Sequence, residues 1–277
     1  MKVFEQACAK INLYLDVSQK RDDGYHDLTT VMHQITLFDE LYIEACDAQQ
    51  IQITLEVDGG DAIPCDSRNL VYRAIDLLLN ELQRPMQVHV KIIKRIPSMA
   101  GLGGGSSDAA AAMRGMNRIL KSPFSDEQLE YLAARIGSDC PFFIRKISAL
   151  CLGRGEILKE FAPELKGYVV VVEGKEPSST KEAFSMLDNM RKKPRQVFDF
   201  SVFSFDDVYN CFEEPISLCC PSVKEHLFLL RQENPRCAAM SGSGSAVFAI
   251  FETHDKAKTA FNKCINNGSV AYLCELL

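Results

Sequence analysis

The feature that most constrains this chain is a glycine-rich loop, Pro97–Asp108, placed between a strand-like and a helix-like segment. Val88–Ile96 alternates apolar and polar residues, which predicts a strand, and Pro97 ends it. Ser106–Leu120 is rich in Ala, Met and Leu, which predicts a helix. Glycines let backbone N–H groups point inward, and the start of a helix adds about half a positive charge. The loop is therefore predicted to hold a di- or triphosphate.

The pattern excludes the two commonest phosphate loops. No Lys-Ser or Lys-Thr pair follows the last glycine, as a Walker A loop requires, and Ser106 stands where a dinucleotide fingerprint has its third glycine. A tight strand-to-helix turn is the alternative interpretation. Four glycines and two serines within 101–107 are more than a turn needs. The residues predicted to bind the nucleotide here are Pro97, Met99, Ala100, Gly101, Leu102, Gly103, Gly104, Gly105, Ser106 and Ser107.

Without a lysine in the loop, phosphoryl transfer needs a cation from elsewhere in the chain, and Lys10 is the candidate. It lies in Ala7–Leu13, an otherwise apolar segment that is predicted to be a strand. Alternation places Lys10 and Asn12 on one face, opposite Ala9 and its apolar neighbours. The strand pattern alone is equally compatible with a lysine that faces solvent.

Composition narrows the class of protein. The chain has 277 residues, a net charge of −6 and a pI near 5.5, which disfavours a nucleic-acid partner. Its 11 cysteines include no Cys-x-x-Cys motif, and Cys219 and Cys220 are adjacent. No signal peptide or membrane-spanning run is present, so we expect reduced cysteines in a cytoplasmic protein with no membrane partner.

Strand-like and helix-like segments mix without a regular βαβ repeat, which predicts an α+β fold. Leu28–Glu44 and Ile51–Val57 are predicted strands, and Ser67 is the predicted N-cap of the helix that follows. A second glycine-serine loop, Ser241–Ser245, precedes a predicted strand, and a tight turn is its alternative interpretation. Phe198–Leu218 carries no usable motif.

Three segments together resemble one family, the 4-diphosphocytidyl-2-C-methyl-D-erythritol kinases of the GHMP superfamily. Ala9–Leu13 together with Arg21–Leu28 (sequence RDDGYHDL) resembles the opening of that family. Pro97–Ser107 is similar to the GHMP phosphate motif, and Ala239–Ser245 resembles the third GHMP motif. The first segment is the specific one, because mevalonate, homoserine and galactose kinases share the other two.

The resemblance implies a two-lobed GHMP kinase fold with an active site in the cleft between the lobes. The N-terminal domain, 1–150, would be like ribosomal protein S5 domain 2 and bind ATP, and the C-terminal domain, 151–277, would be ferredoxin-like. It also implies the reaction, in which ATP with Mg2+ phosphorylates the 2-hydroxyl of a small cytidine diphosphate-linked substrate on the non-mevalonate route to isoprenoid precursors. Neither the ligands of the metal nor a monomeric or dimeric state follows from the sequence.

The resemblance also assigns active-site residues, by the positions that match the family's motifs. Asp139 matches the catalytic aspartate and Lys10 its partner; read alone, Asp139 is equally well a cap on the turn before Pro141. The substrate-binding matches are Asn12, Tyr25, His26, Thr180 and Phe184, with Tyr25 and Phe184 on the two sides of the cytosine ring. Asn69 is expected to border the adenine pocket. Arg154 could reach a diphosphate or face solvent.

Three competing functions remain open. A mevalonate or homoserine kinase would bind a carboxylate and need no aromatic residues around a base. A galactose-type kinase would be revealed by turnover of the sugar. A non-catalytic RNA-binding relative would tolerate loss of Lys10 or Asp139 and would need a basic surface, which the acidic pI disfavours.

Overall fold

Alternating residues near the start of the chain form its two longest strands, β1 (Lys2–Lys20) and β2 (His26–Asp47). We describe the protein from a computed structural model, which covers residues 1–20, 24, 26–60, 63–145, 147–176, 178–190 and 199–277. Contacts divide the chain into two units. The first comprises 1–9, 37–98 and 103–147, and the second comprises 10–36, 99–102 and 148–277. The expected domain boundary at residue 150 stays a prediction.

In the first unit, strands and helices form two layers. The strand order is β3-β4-β2-β1, with β3 (Gln52–Asp58) parallel to β4 (Met86–Ile93) and β4 antiparallel to β2. Every second residue of β4 is fully buried, as its alternating sequence predicts. The helices of this unit are α1 (Leu70–Glu81), α2 (Gly104–Ile119), α3 (Asp126–Ala133) and α4 (Phe142–Arg145).

Helix α2 lies close to the sheet. A Cβ atom on Gly115 would be 2.6 Å from Ile43 Cδ1 of β2, so the helix approaches the sheet closely at this glycine. The alanines 109–112 are all fully buried, because α2 packs against α1 and α4 as well as against the sheet. This packing fixes the direction in which the N-terminus of α2 points.

In the second unit, β2 pairs antiparallel with β5 (Ser148–Gly153), and β1 pairs parallel with β8 (Tyr209–Asn210). A separate antiparallel sheet has the order β11-β7-β10-β9. Its central strands are nearly all apolar and buried, because helices cover the sheet. The remaining strands are β6 (Ile157–Lys159), β7 (Tyr168–Val172), β9 (Cys237–Met240), β10 (Val247–Phe251) and β11 (Ala271–Glu275). The helices are α5 (Thr180–Met190), α6 (Glu213–Cys219), α7 (Pro221–Arg231) and α8 (His254–Asn266).

Two helix starts differ from the sequence prediction. Asn69, not Ser67, caps α1, because its extended backbone lets its side chain accept a hydrogen bond from the N–H of Val71 at 2.9 Å. Helix α2 begins at Gly104, two residues before the predicted start. Gly103 has a φ of 73°, a left-handed conformation that turns the chain directly into the helix.

The segment that lacked a motif forms short elements. Over its described residues it contains 3-10 turns at Phe200–Val202 and Phe205–Asp207, then strand β8 and helix α6. Among the described residues, no helix combines the length and hydrophobicity that a bilayer span requires. The α+β class is confirmed.

Candidate active site

In the first unit, the glycine-rich loop leads into an open helix N-terminus. Gly103 is the N-cap of α2, and no described side chain caps the helix. The N–H groups of Gly104, Gly105 and Ser106 lie in the first turn, where an α-helix offers no backbone acceptor. Glycine at 104 and 105 leaves no side chain over the N–H groups there, so this turn can bind a phosphate group.

A buried ionic cluster lies beneath this turn. Lys94 Nζ donates to Asp108 Oδ2 at 2.7 Å and also to Asp39. All three side chains are almost fully buried. A Cβ built on Gly104 would lie 3.4 Å from the same Nζ, so the lysine directly supports the first residue of α2. Asp108 lies one turn further along that helix.

Asp39 also fixes the end of strand β4. Its Oδ1 accepts the backbone N–H groups of Arg95, at 2.5 Å, and of Ile96, at 2.9 Å. Burial lowers the pKa of Lys94, but the two carboxylates outweigh burial and raise it, so the lysine stays charged. Burial raises the pKa of Asp108 to about 7; Lys94 opposes this rise and Asp39 adds to it.

Asp139 lies in a turn beside the same helix. The turn is closed by a hydrogen bond from Cys140 N to Gly137 O at 3.2 Å. A Cβ on Gly137 would be 3.9 Å from Ser106 Oγ, so this turn approaches the first turn of α2. Asp139 is half-buried. Burial raises the pKa of the Cys140 thiol to about 12, so that neighbour is not a nucleophile.

Asn69 has a structural role that its sequence context did not reveal. Its Oδ1 caps α1, and its Nδ2 donates to Pro64 O at 2.7 Å. A Cβ on Gly105 would touch Leu70 Cδ1 at 3.8 Å, so the starts of α1 and α2 are neighbours. Asn69 therefore lies near the open helix N-terminus, and its contact with adenine stays a prediction.

In the second unit, Lys10 is buried, and its ammonium group donates hydrogen bonds to a side chain and to the glycine-rich loop. Its Nζ donates to Asn12 Oδ1 at 2.6 Å and to Gly101 O at 2.8 Å, and the residue is only 4% exposed. The interpretation of Lys10 as a solvent-facing lysine is therefore excluded. Lys10 and Asn12 share one face of β1, as alternation predicts.

Asn12 is itself oriented by a chain of hydrogen bonds. Its Nδ2 donates to Thr30 Oγ1 at 2.8 Å, and Thr30 donates to Tyr14 O at 2.7 Å. Because the amide nitrogen is engaged by Thr30, the amide oxygen must face Lys10. The position of the Lys10 ammonium is therefore set by residues of both β1 and β2.

The second glycine-serine loop packs on the first. Ser241 Oγ donates to Gly101 O at 2.9 Å, and Ala246 N donates to Ala100 O at 3.2 Å. Leu102 O accepts the N–H of Lys10 at 2.9 Å. These bonds join both loops to the strand that carries the lysine, which an ordinary tight turn before β10 would not do.

Glycine is required where these loops meet. A Cβ on Gly101 would lie 2.0 Å from Ser241 O, and a Cβ on Gly244 would lie 2.2 Å from Gly101 N. Both distances are far below van der Waals contact. Met99, by contrast, is exposed and has a φ of 56°.

An aromatic cluster surrounds His26. The imidazole stacks on Phe184, with 5.1 Å between ring centroids, and Phe184 packs edge-on against Phe212. His26 Nε2 lies 2.8 Å from Asp188 Oδ1. Tyr25, the other predicted base-stacking residue, lies outside the described residues.

Thr180 begins helix α5, which carries the aromatic cluster. Ser243 Oγ donates to Thr180 Oγ1 at 3.0 Å, and Ser178 Oγ donates to Ser243 O at 2.7 Å. The second glycine-serine loop therefore also positions the helix that bears Phe184.

Arg154 contacts a neighbouring acidic residue. Its backbone N–H donates to Glu156 Oε2 at 2.6 Å, and its guanidinium is 3.7 Å from the same carboxylate.

Sequence reasoning missed Thr30, Asp188 and the cluster Asp39–Lys94–Asp108. Lys94 carried a local signal, because it directly follows β4 at a position in phase with the buried residues of that strand. Asp188 had a weaker one: it lies four residues after Phe184 and so shares a helix face with it.

Two family models match the chain. The model described as GHMP kinases N terminal domain matches residues 69–146, which include the glycine-rich loop and Asp139. The model described as GHMP kinases C terminal matches residues 201–270, which include the second glycine-serine loop. The fold is that of the GHMP kinases.

Curated relatives and solved structures narrow the family. A 4-diphosphocytidyl-2-C-methyl-D-erythritol kinase of Desulfotalea psychrophila is 39% identical over 89% of this chain and 85% of its own length. Another, from Citrifermentans bemidjiense, is 35% identical over 92% of this chain and 91% of its own length. The crystal structure of a 4-(cytidine 5'-diphospho)-2C-methyl-D-erythritol kinase is similar with a TM-score of 0.81 and 30% identity, covering 99% of both chains. The chain therefore belongs to the 4-diphosphocytidyl-2-C-methyl-D-erythritol kinase family.

More distant structures share the fold alone. A homoserine kinase of Cytophaga hutchinsonii has a TM-score of 0.68 at 16% identity, and an L. major mevalonate kinase has the same TM-score and identity. At such identities the likeness says nothing about substrate.

Proposed function

We propose that this protein transfers the γ-phosphoryl group of ATP to the 2-hydroxyl of 4-diphosphocytidyl-2-C-methyl-D-erythritol. The observation that carries the proposal is the uncapped, glycine-lined start of α2, which suits a nucleotide phosphate. Family membership supports the acceptor. The stacked pair His26–Phe184 supports recognition of a flat base, which mevalonate and homoserine lack.

Two side chains are proposed to act on the reacting groups. An alcohol is a weak nucleophile, so a carboxylate that takes its proton accelerates transfer by typically 10²–10⁴-fold. We assign this role to Asp139. Lys10 supplies positive charge for the phosphoryl group as its charge spreads. Its hydrogen bonds to Asn12 and Gly101 hold the ammonium in place before substrate binds.

A magnesium ion bound with ATP would neutralise charge on the phosphates. Mg2+ in such sites takes few protein ligands, and the phosphates supply the others. The described residues contain no cluster of three or more His, Cys, Asp or Glu side chains that could hold a metal ion without a nucleotide. The hydroxyls of Ser106 and Ser107 are hard oxygen donors in the first turn of α2, so these residues fit an ion that arrives with the nucleotide.

The function is tested by ADP release with ATP and magnesium. The acceptors compared are the cytidyl substrate, mevalonate, homoserine and galactose, and we expect turnover with the first alone. Turnover of one of the others in its place would overturn the proposed acceptor.

The role of Asp139 is tested in the same assay. Asp139→Asn should lower kcat by about 100-fold or more, because the amide cannot accept the proton. Asp126→Asn, an exposed change in the first turn of α3, is the matched control and should leave kcat unchanged. Near-normal kcat in Asp139→Asn would show that positioning alone drives transfer.

A further inference from the structure

Helix α5 brings a carboxylate as well as an aromatic ring to His26. Phe184 and Asp188 lie four residues apart on this helix and therefore on the same face. The ring of Phe184 stacks on the imidazole, while Asp188 Oδ1 lies 2.8 Å from Nε2. The His26 side chain is only 6% exposed, so its ring orientation is fixed by these two neighbours.

The carboxylate decides which imidazole nitrogen carries the proton. An ionised carboxylate only accepts hydrogen bonds, so Nε2 must be the protonated nitrogen. A neutral imidazole then has a lone pair on Nδ1 and no hydrogen there. No described residue hydrogen-bonds to Nδ1, which leaves this lone pair for a ligand.

A fixed acceptor distinguishes the two pyrimidines. Cytosine has an exocyclic amino group that donates hydrogen bonds, whereas uracil and thymine have a carbonyl oxygen at the same position that only accepts. An Nδ1 lone pair pairs with the amino group and meets the carbonyl oxygen as a second acceptor. The same imidazole with its proton on Nδ1 would have the opposite preference.

We propose that Asp188 is a positioning residue that holds His26 in the Nε2–H tautomer and thereby makes the site select cytosine over uracil. The inference rests on the proposed function, since it concerns the base of that substrate. No contact with the reacting hydroxyl or with ATP is assigned to Asp188. It acts through His26, whose acceptor atom it selects.

A merely structural ion pair would have a different signature. Asp188 is 39% exposed, and a pair with a partly exposed partner contributes little to stability. A structural role would therefore change stability slightly and leave base selectivity alone. The proposed role changes selectivity and leaves the rest of the reaction alone.

The kinetic test uses Asp188→Asn in the full-length protein, with Glu182→Gln as the matched control. Asparagine can either accept from or donate to Nε2, so it releases the tautomer while keeping the size of the side chain. Glu182 is an exposed acidic residue in the first turn of the same helix. The substrates compared are the cytidyl compound and its uridyl analogue.

We expect the ratio of kcat/KM for the cytidyl over the uridyl compound to fall about tenfold in Asp188→Asn, the range that one well-placed base contact supplies. The loss should lie in KM for the cytidyl compound, with kcat and the KM for ATP unchanged. The ratio in Glu182→Gln should equal that of the parent protein. An unchanged ratio in Asp188→Asn overturns the proposal.

The tautomer is read independently by 15N NMR of histidine-labelled protein, with His26→Gln assigning its signal among the 5 histidines. The parent protein should show a protonated Nε2 and an unprotonated Nδ1, and Asp188→Asn should show both tautomers. A protonated Nδ1 in the parent protein overturns the inference.

Failure of this inference differs from failure of the proposed function. Cytidyl turnover with an unchanged base ratio in the variant overturns only the assignment of Asp188. Absence of cytidyl turnover, together with no binding of cytidine diphosphate by calorimetry, overturns the proposed function and with it this inference.

Discussion

Two stretches of the same glycine-rich loop are held by different forces. In the first unit, the start of α2 is supported by a buried lysine between two carboxylates, Asp39 and Asp108. In the second unit, Met99–Leu102 is held by close contact with the Ser241–Ser245 loop. Gly101 and Gly244 allow the backbones of the two loops to touch. One support depends on charge and the other on the absence of side chains.

The difference teaches how each support fails. A buried ion pair is strong only while every partner is present, because a charge left alone pays the full cost of desolvation. Close-packed glycines contain no charge, so they fail when an atom is added. The ionic support should therefore respond to pH and to loss of a partner, and the packed support to steric change alone.

The largest effect is expected from Lys94→Met, which breaks the ionic support. It leaves Asp39 and Asp108 buried without a cation, and removal of one partner of a buried pair typically costs about 3–5 kcal/mol. The free energy of unfolding, measured by urea denaturation, should fall by this order.

Lys91→Met is the matched control for that change. Lys91 lies on β4, three residues before Lys94, and pairs with Glu56 at 2.9 Å, but both side chains are substantially exposed. Its removal should leave the free energy of unfolding almost unchanged, because solvent screens an exposed ion pair. Equal losses in the two variants would mean that the buried cluster contributes no more than a surface pair.

The packed support is broken by Gly244→Ala. The added Cβ would lie 2.2 Å from Gly101 N and 2.3 Å from Ala100 C, both backbone atoms that cannot rotate away. Overpacking of this kind typically costs about 1–3 kcal/mol. The displaced Gly101 carbonyl also holds Lys10, so kcat should fall together with stability.

Gly268→Ala separates this effect from ordinary backbone strain. Gly268 has a φ of 78°, but no atom of the described residues would lie within 4 Å of an added Cβ, so alanine there is strained without a clash. It should lose about 1–2 kcal/mol of stability and keep kcat. A Gly244→Ala protein with normal kcat would show that the two loops are not coupled.

The two supports also differ in how well the sequence predicts them. The packed one was partly predictable, because glycine-serine runs are local signals and alternation alone puts Lys10 and Asn12 on one face. The ionic one was not: Asp39 and Lys94 are 55 residues apart, and a lysine near the end of a strand usually faces solvent. Their pairing depends on the register of β2 and β4, which no local pattern contains.

The same limit applies to the cluster around His26. Residues His26 and Phe184 were identified by resemblance, but Asp188 meets His26 across 162 residues of chain and was missed. Asn69 was predicted to lie near the nucleotide, while its role as the cap of α1 depended on a backbone conformation that the sequence leaves open. Positions of local elements were thus predictable, and contacts between distant ones were not.

The smallest and most specific effect is expected from Asp108→Asn, which tests the charge dependence of the ionic support. Burial, more than any other cause, raises the pKa of this carboxyl to about 7 in the folded protein, against roughly 4 in an unfolded chain. The folded state therefore holds the proton more tightly. This contribution to stability is complete below about pH 4 and is lost as the pH rises through about 7.

Asparagine removes the titration but keeps the size of the side chain and an oxygen that accepts from Lys94. Between about pH 5 and pH 8, the parent protein should lose more of its free energy of unfolding than Asp108→Asn does, by roughly 1 kcal/mol or more. Gly244→Ala should follow the slope of the parent protein, because the packed support contains no titrating group. Parallel pH curves for Asp108→Asn and the parent protein would place the pKa of Asp108 near its ordinary value. The distinction between a charge-dependent and a neutral support would then rest on Lys94→Met alone.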